Sequence, residues 1–302
     1  MKKKTIAYLL GAAAILCLVV GGVKLVREQK AGEEYEELRE EAKTEEPETV
    51  EAEPEEEKEP LDIPVDVEAL QAENPDIYAW ITIPGTNVDY PILQREGDNG
   101  YYLNHSVDGA ESIAGAIFTE DYNSKDFTDP NTIIYGHNMK TGTIFGCLTE
   151  YKKAAYYQHH PYFEFDTLYG DAKYEVFAAF AIDVVQDTSF VYNQYVDMDE
   201  DTYNDYVAEV IRRSDVDSGI RPEYGEQLLT LSTCNNAFDT ARLVIVARRV
   251  RDGEDPNERI AGSIPNPNIK WPNVYYLRHE KTYDPNAPFA PYGQGTDGNE
   301  ES

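Results

Sequence analysis

Three polar residues of this 302-residue chain stand where short apolar runs end, and their types add up to one kind of chemistry. Cys234 closes a run that begins at Leu228, Arg242 opens the run Leu243–Val246, and His137 follows Thr132–Tyr135 after Gly136. The reactive form of a cysteine is the thiolate, which a neighbouring fixed cation stabilises. Left to itself a cysteine is only about 3 % thiolate at pH 7. A histidine can hold the opposite charge as imidazolium and later protonate a leaving amine. Arginine stays protonated and cannot act as a base, so its task in such a set is to bind a substrate carbonyl and stabilise the developing oxyanion. Nucleophile, acid/base and oxyanion donor make an acyl-transfer set. Taken one at a time, each residue has a plainer reading: a half-buried cysteine, a structural histidine, a surface arginine.

The elements that must position them are short and rich in Val, Ile and Thr, the pattern of buried strands. If the cysteine and arginine strands pair antiparallel, thiol and guanidinium meet at one end of a sheet. Upstream, Val65, Val67, Leu70 and Ile77 predict a short helix ending near Asn74-Pro75. Strands are expected at Trp80–Ile83, at Val88–Leu93 with Pro91 favouring an edge, and, past Asn99–Leu103, at Gly115–Thr119 and Thr132–Tyr135. A short helix is expected at Thr141–Tyr151, then strands at Tyr162–Phe165 and Tyr174–Val185. In Asp199–Arg213 the residues Tyr203, Tyr206, Val207, Val210 and Ile211 share one helical face. Acids open that helix and Arg212 and Arg213 close it, matching its dipole. Many short strands with little helix predict a closed barrel or a sandwich.

The net charge is −31, which argues against nucleic acid as a partner, since phosphate contacts need clustered Lys and Arg. The cysteines do not make a disulfide framework. Cys17 lies in an apolar run; Cys147 and Cys234 could form one disulfide, but His137 and Arg242 would then have no purpose, so a free thiol at Cys234 is expected and Cys147 reads as a small apolar filler. No metal and no cofactor is expected. Lys2 to Lys4 precede an uncharged stretch, Thr5–Val23, close to bilayer-spanning length. Residues 1–4 are therefore read as a cytoplasmic N-terminus and 5–26 as a single-pass transmembrane anchor, with a cleaved signal peptide as the alternative. Residues 27–62 are read as an acidic disordered linker in which Glu33–Lys43 could continue as a polar helix; nothing before Pro60 is expected to add to a core. Residues 63–251 form the catalytic domain. Residues 252–302 are a Pro/Asn/Gly-rich extension, partly disordered, from which Trp271, Tyr275 and Tyr276 could pack back on the domain.

The runs TLSTC, YGHNM, WITIPGTNVDYPI and RLVIVARR, with His, Cys and Arg in that chain order, resemble class B sortases, the cysteine transpeptidases of Gram-positive bacteria. The resemblance covers roughly Ile63 to Val250. It implies a mainly β fold, an eight-stranded sortase-type barrel with an N-terminal helix and an inserted helix before the cysteine strand. It implies that His137, Cys234 and Arg242 are catalytic and that Asn99, Leu103, Ser232 and Thr233 contact the substrate peptide. It further implies cleavage of a C-terminal sorting motif after its threonine, a thioacyl enzyme, and transfer to a cell-wall peptidoglycan precursor amine, with the catalytic domain outside the cell membrane. A secreted cysteine peptidase and a non-catalytic surface display module are the competing readings; the papain-like chain order, cysteine before histidine, is the reverse of the one found here.

Overall fold

The computed structural model of the chain describes residues 35–36, 38–39, 65–235, 240–258 and 263–283. Helix α1 (Val67–Glu73) is capped by the Asp66 side chain, which accepts from the Ala69 N–H, and ends at Asn74, where Pro75 forbids a further turn. The strands that follow are β1 (Ile77–Thr82), β2 (Asp89–Leu93), β3 (Ile117–Thr119), β4 (Asn131–Tyr135), β5 (Tyr162–Thr167) and β6 (Gly170–Asp183). Helix α2 (Ala154–His159) lies between β4 and β5, and helix α3 (Glu200–Arg213) after β6. A short β7 (Val216–Asp217) precedes β8 (Leu228–Cys234) and β9 (Ala241–Arg249), and the chain goes on to β10 (Ile264–Pro265) and helix α4 (Asn273–His279). Eight strands close a barrel in the order β1-β2-β3-β4-β8-β9-β6-β5, with β5 returning to β1. The closed, mainly β architecture is the one expected, and it leaves no open edge.

Strands β8 and β9 are buried over most of their length because both faces are covered. Leu229, Leu231, Leu243, Ile245 and Ala247 point into the barrel core, while Leu228, Val244 and Val246 join a second cluster with Tyr203, Tyr206, Val207 and Val210 of α3. Asp199 caps α3 by accepting from the Thr202 N–H at 2.9 Å, and the expected amphipathic face is the buried one.

Several expectations shift. Strand β2 is internal, not an edge, yet Pro91 is tolerated because the ladder to β3 begins only at Ile92; at Pro91 itself one side of the strand is unpaired, which is what proline requires. Within Asn99–Leu103, Tyr101–Leu103 is a 3-10 turn, pressed against Gly115. That glycine has φ +59°, and a Cβ there would collide with the Tyr102 carbonyl. The helix expected over Thr141–Tyr151 is a 3-10 segment, Gly146–Lys152. The apolar run ending at Val185 leaves the sheet at Asp183, because Asp183 Oδ1 accepts from the Val185 and Gln186 N–H groups and turns the chain.

The largest correction lies in the acidic segment. Residues Tyr35, Glu36, Leu38 and Arg39 are helical, and Tyr35 belongs to the barrel core at 3 % exposure. Its ring meets Tyr90 edge-on at 4.7 Å and its hydroxyl donates to the Gly115 carbonyl. Arg39 donates from Nε to the Asp89 carbonyl at 2.8 Å and lies over the Tyr90 ring. One tyrosine and one arginine thus dock a stretch whose average composition is far too polar to fold alone; average composition hid them. The rest of 27–62, the 5–26 segment and the tail from Asp284 fall outside the described residues. Among the described residues no helix is long and apolar enough to cross a membrane.

Tyr35→Ala in the full chain should lower unfolding stability by about 3 kcal/mol or more, as large-to-small changes at buried aromatic sites do. A chain begun at residue 63 should show a similar loss in chemical denaturation. Equal stability of both with the parent would mean that the Tyr35 contact does not form.

Candidate active site

Strand pairing alone assembles the three chemical residues. Strands β4 and β8 run parallel with Tyr135 opposite Ser232, and the Gly136 N–H still donates to the Ser232 carbonyl at 3.2 Å. Continuing that register by two residues sets His137 beside Cys234. On the other flank β9 runs antiparallel, and Arg242 is the direct partner of Cys234. The thiol therefore stands between histidine and arginine, at the one exposed residue of an otherwise buried strand. Asn138 Nδ2 donates to the Cys234 carbonyl at 2.8 Å and pins the histidine loop to the end of β8. Gly136 admits the Phe145 ring, which a Cβ would strike, and the Phe145 N–H bonds the His137 carbonyl.

The ring of His137 is oriented by backbone, its Nε2 lying 2.6 Å from the Leu103 carbonyl oxygen, and among the described residues no carboxylate pairs with the ring. A carbonyl only accepts, so Nε2 carries the proton in this arrangement. Arg242 donates from Nη1 to the Ala241 carbonyl, and among the described residues no carboxylate pairs with it. Asp239 lies outside the described residues. The start of β9 is held by Asp183, whose carboxylate accepts from the Thr240 hydroxyl at 2.7 Å.

All seven residues singled out in the sequence line one cavity of about 390 Å³: Asn99, Leu103, His137, Ser232, Thr233, Cys234 and Arg242. They are not equally free. The side-chain amide of Asn99 is engaged on both sides by Asp121, through Oδ1 at 2.8 Å and through the Asp121 N–H at 2.7 Å. The bond from Asn99 Nδ2, with a second from the Gly97 N–H, holds the Asp121 carboxyl below its ordinary value. The Ser232 hydroxyl is tied to the Tyr192 hydroxyl at 2.6 Å. Burial pushes the Tyr192 phenol above its ordinary value, so it remains a neutral partner. Thr233 Oγ1 is buried without a partner among the described residues, and Leu103 is 49 % exposed at the mouth.

Sequence reasoning missed the opposite wall. Val184, Asp187, Phe190, Val191, Tyr192 and Asn193, from the segment between β6 and α3, complete the cavity. Across from them Glu120 accepts from both Tyr122 and Tyr135, and Asn193 Nδ2 donates to the Tyr135 hydroxyl. No periodic pattern marks the 184–194 segment; only the aromatic spacing of Phe190, Tyr192 and Tyr195 signals that it packs.

Both described cysteines are free, so the disulfide alternative is excluded. Cys147 packs partly buried against the core, as a filler would, and burial pushes its thiol above the ordinary value. A thiol-alkylating probe at neutral pH should label Cys234 well before Cys147, read by peptide mapping. Faster labelling of Cys147 would contradict this placement.

A sortase-domain family model matches residues 81–250. Sortase B of Listeria monocytogenes is 35 % identical over 183 residues, 60 % of this chain and 72 % of that protein. Sortase B of Staphylococcus aureus is 32 % identical over 186 residues, 61 % of this chain and 74 % of that protein. Among solved structures, the Staphylococcus aureus sortase B–substrate complex aligns with a TM-score of 0.56 at 32 % identity, covering 62 % of this chain and 85 % of that one. Sortase B from B. anthracis in complex with AAEK1 aligns with a TM-score of 0.62 at 26 % identity, covering 75 % and 99 %. Because the family match spans more than half of the chain and the relatives share its closed barrel, the chain belongs to the sortase family, as a cysteine transpeptidase of the sortase B kind.

Proposed function

We propose that this transpeptidase cleaves a C-terminal sorting motif after its threonine and joins the new carboxyl end to a peptidoglycan precursor amine. The observation that carries the reading is the flanking of Cys234 by His137 and Arg242 at the floor of a cavity with an apolar wall. In this reading the Cys234 thiolate attacks the scissile carbonyl carbon. The Arg242 guanidinium holds the oxygen as charge develops, with the low dielectric of the cleft strengthening that interaction. His137 gives its proton to the departing amine, the C–N bond breaks, and a thioester remains. The acceptor amine then attacks the thioester, His137 takes its proton, and the thiolate leaves.

The Leu103 carbonyl gives the histidine a resting place with Nε2 already protonated. Leu103 would thus act through both its side chain, at the mouth, and its backbone. Thr233, which lines the cavity and whose Oγ1 has no partner among the described residues, would bond the bound peptide. Asn99 would contact the peptide only at the expense of its Asp121 bonds, and Ser232 would act mainly by fixing Tyr192. The relatives are sortase B enzymes, and the Staphylococcus aureus protein has been seen with its substrate; secreted proteins bearing a sorting motif are the corresponding partners here. Residues 5–26 would anchor the enzyme in the cell membrane with residues 1–4 in the cytoplasm and the barrel outside.

Incubation with a panel of sorting peptides, followed by mass spectrometry, should reveal an acyl adduct on Cys234 that an added amine discharges. Discharge by water alone, indifferent to amines, would make the protein a peptidase.

Arg242→Lys separates two roles for the arginine. Lysine keeps the charge but not the planar fork of donors. Turnover should fall by about 10²–10³-fold, the usual effect of losing an oxyanion donor, while the rate of Cys234 alkylation changes little. Parallel losses in both measurements would place the role of Arg242 on the thiolate instead.

A further inference from the structure

The family match ends at residue 250, but the chain returns to the barrel beyond it. Strand β10 pairs with β7. The Asn266 side chain then donates to the carbonyls of Ser214 and Ile211 at 2.7 and 3.2 Å, and the Lys270 N–H donates to the Arg212 carbonyl at 2.9 Å. These lie at the C-terminal end of α3, where helix carbonyls lack intrahelical donors. Lys270 Nζ also reaches Glu209 Oε1 at 2.5 Å.

The next contact is with the cleft wall itself. The backbone N–H of Asn273 donates to Asp187 Oδ1 at 3.0 Å, and its side chain donates to the Gln186 carbonyl at 3.1 Å. Asp187 is 3 % exposed and lines the substrate cavity. Its other oxygen accepts from the Asp183 N–H at 3.0 Å, and the buried Arg213 guanidinium lies 3.7 Å away, over the Phe190 ring. One buried carboxylate thus ties the returning segment to the end of β6 and to the cavity wall. A buried carboxylate that loses a donor is left with an unsatisfied oxygen, and the loop carrying it must rearrange.

We propose that residues 263–283 are a strap that fixes the Val184–Asn193 wall of the cleft, with Asn273 as its positioning residue, and that the strap sets affinity for the peptide rather than the reactivity of the thiol. The proposal rests on the peptide-cleaving reading above. Asn273→Pro tests it cleanly. Proline is accepted at the first position of a helix, and Pro272 already has φ −55° and ψ 148°, the extended conformation that a following proline demands. The variant removes both donors, whereas Asn273→Ala keeps the backbone one.

In the full chain, Asn273→Pro should speed amide hydrogen exchange at Asp183, Asp187 and Phe190 while β8 and β9 keep their protection. KM for a peptide should rise about tenfold, the effect of a lost bond to a charged group, with kcat and Cys234 alkylation within about twofold of the parent. Asn273→Ala should fall between the parent and the proline variant. Unchanged exchange in the wall would overturn the strap. Faster exchange with an unchanged KM would overturn its link to affinity. A uniform loss of protection with a lowered Tm would show a merely structural segment and overturn the positioning role. If the parent turns over no peptide, the substrate reading fails, and the exchange comparison alone decides whether the strap holds the wall.

Discussion

Strand β8 is the constraint on which the site depends. Its two ladders, parallel to β4 and antiparallel to β9, fix what stands on either side of its last residue. From Leu228 to Thr233 the strand is buried, and Cys234 is the first residue to reach solvent. A slip of one residue in either ladder would turn alternate side chains to the wrong face. The thiol would then lose histidine or arginine, and the barrel core would lose Leu229 and Leu231 or Leu243 and Ile245. Packing and the proposed chemistry therefore demand the same register, and the alternation of the inward Leu229 and Leu231 with Thr230 and Ser232, which bond Tyr206 and Tyr192, enforces it.

The opposite end of the same strands is held by charge. Arg248 is fully buried on β9 and meets Glu175, Glu226 and Glu254. Replacing such a cluster by apolar residues can be neutral or better, but removing one partner strands a buried charge. Here the cluster joins β6, β9, the Glu226 turn before β8 and the residues after β9 at one point. The ends far from the cleft are fixed by ion pairs, which leaves the cleft ends to carry polar residues for chemistry.

The cleft joins a rigid floor to a built-up wall. The floor is strand, and its groups are placed by ladder geometry. The wall between β6 and α3 has no ladder of its own; Asp183, Asp187 and the contacts of the returning C-terminal segment hold it. Apolar and aromatic groups of the wall face polar groups of the floor across the cavity, a division suited to gripping a peptide on one side and reacting with it on the other.

The sequence by itself determined the candidate chemical residues and a mainly β class, and its resemblance to a family chose the barrel over a sandwich. Cys234, His137 and Arg242 were legible because each abuts a short β-branched run, and helix α3 because its apolar positions repeat at helical spacing. Local signals of this kind survive without tertiary information. Only the tertiary structure decided which groups orient and surround them. The Leu103 carbonyl that holds His137 is a backbone atom in a turn, which no residue type announces. Tyr35 was hidden in an acidic segment because composition averages over a window, while docking needs only one aromatic side chain and the hole that receives it. Asp187 and Asn273 are far apart in sequence and acquire a role only where the chain returns to itself. Contacts between distant segments are set by the closing of the barrel, which a linear reading of periodicity cannot contain.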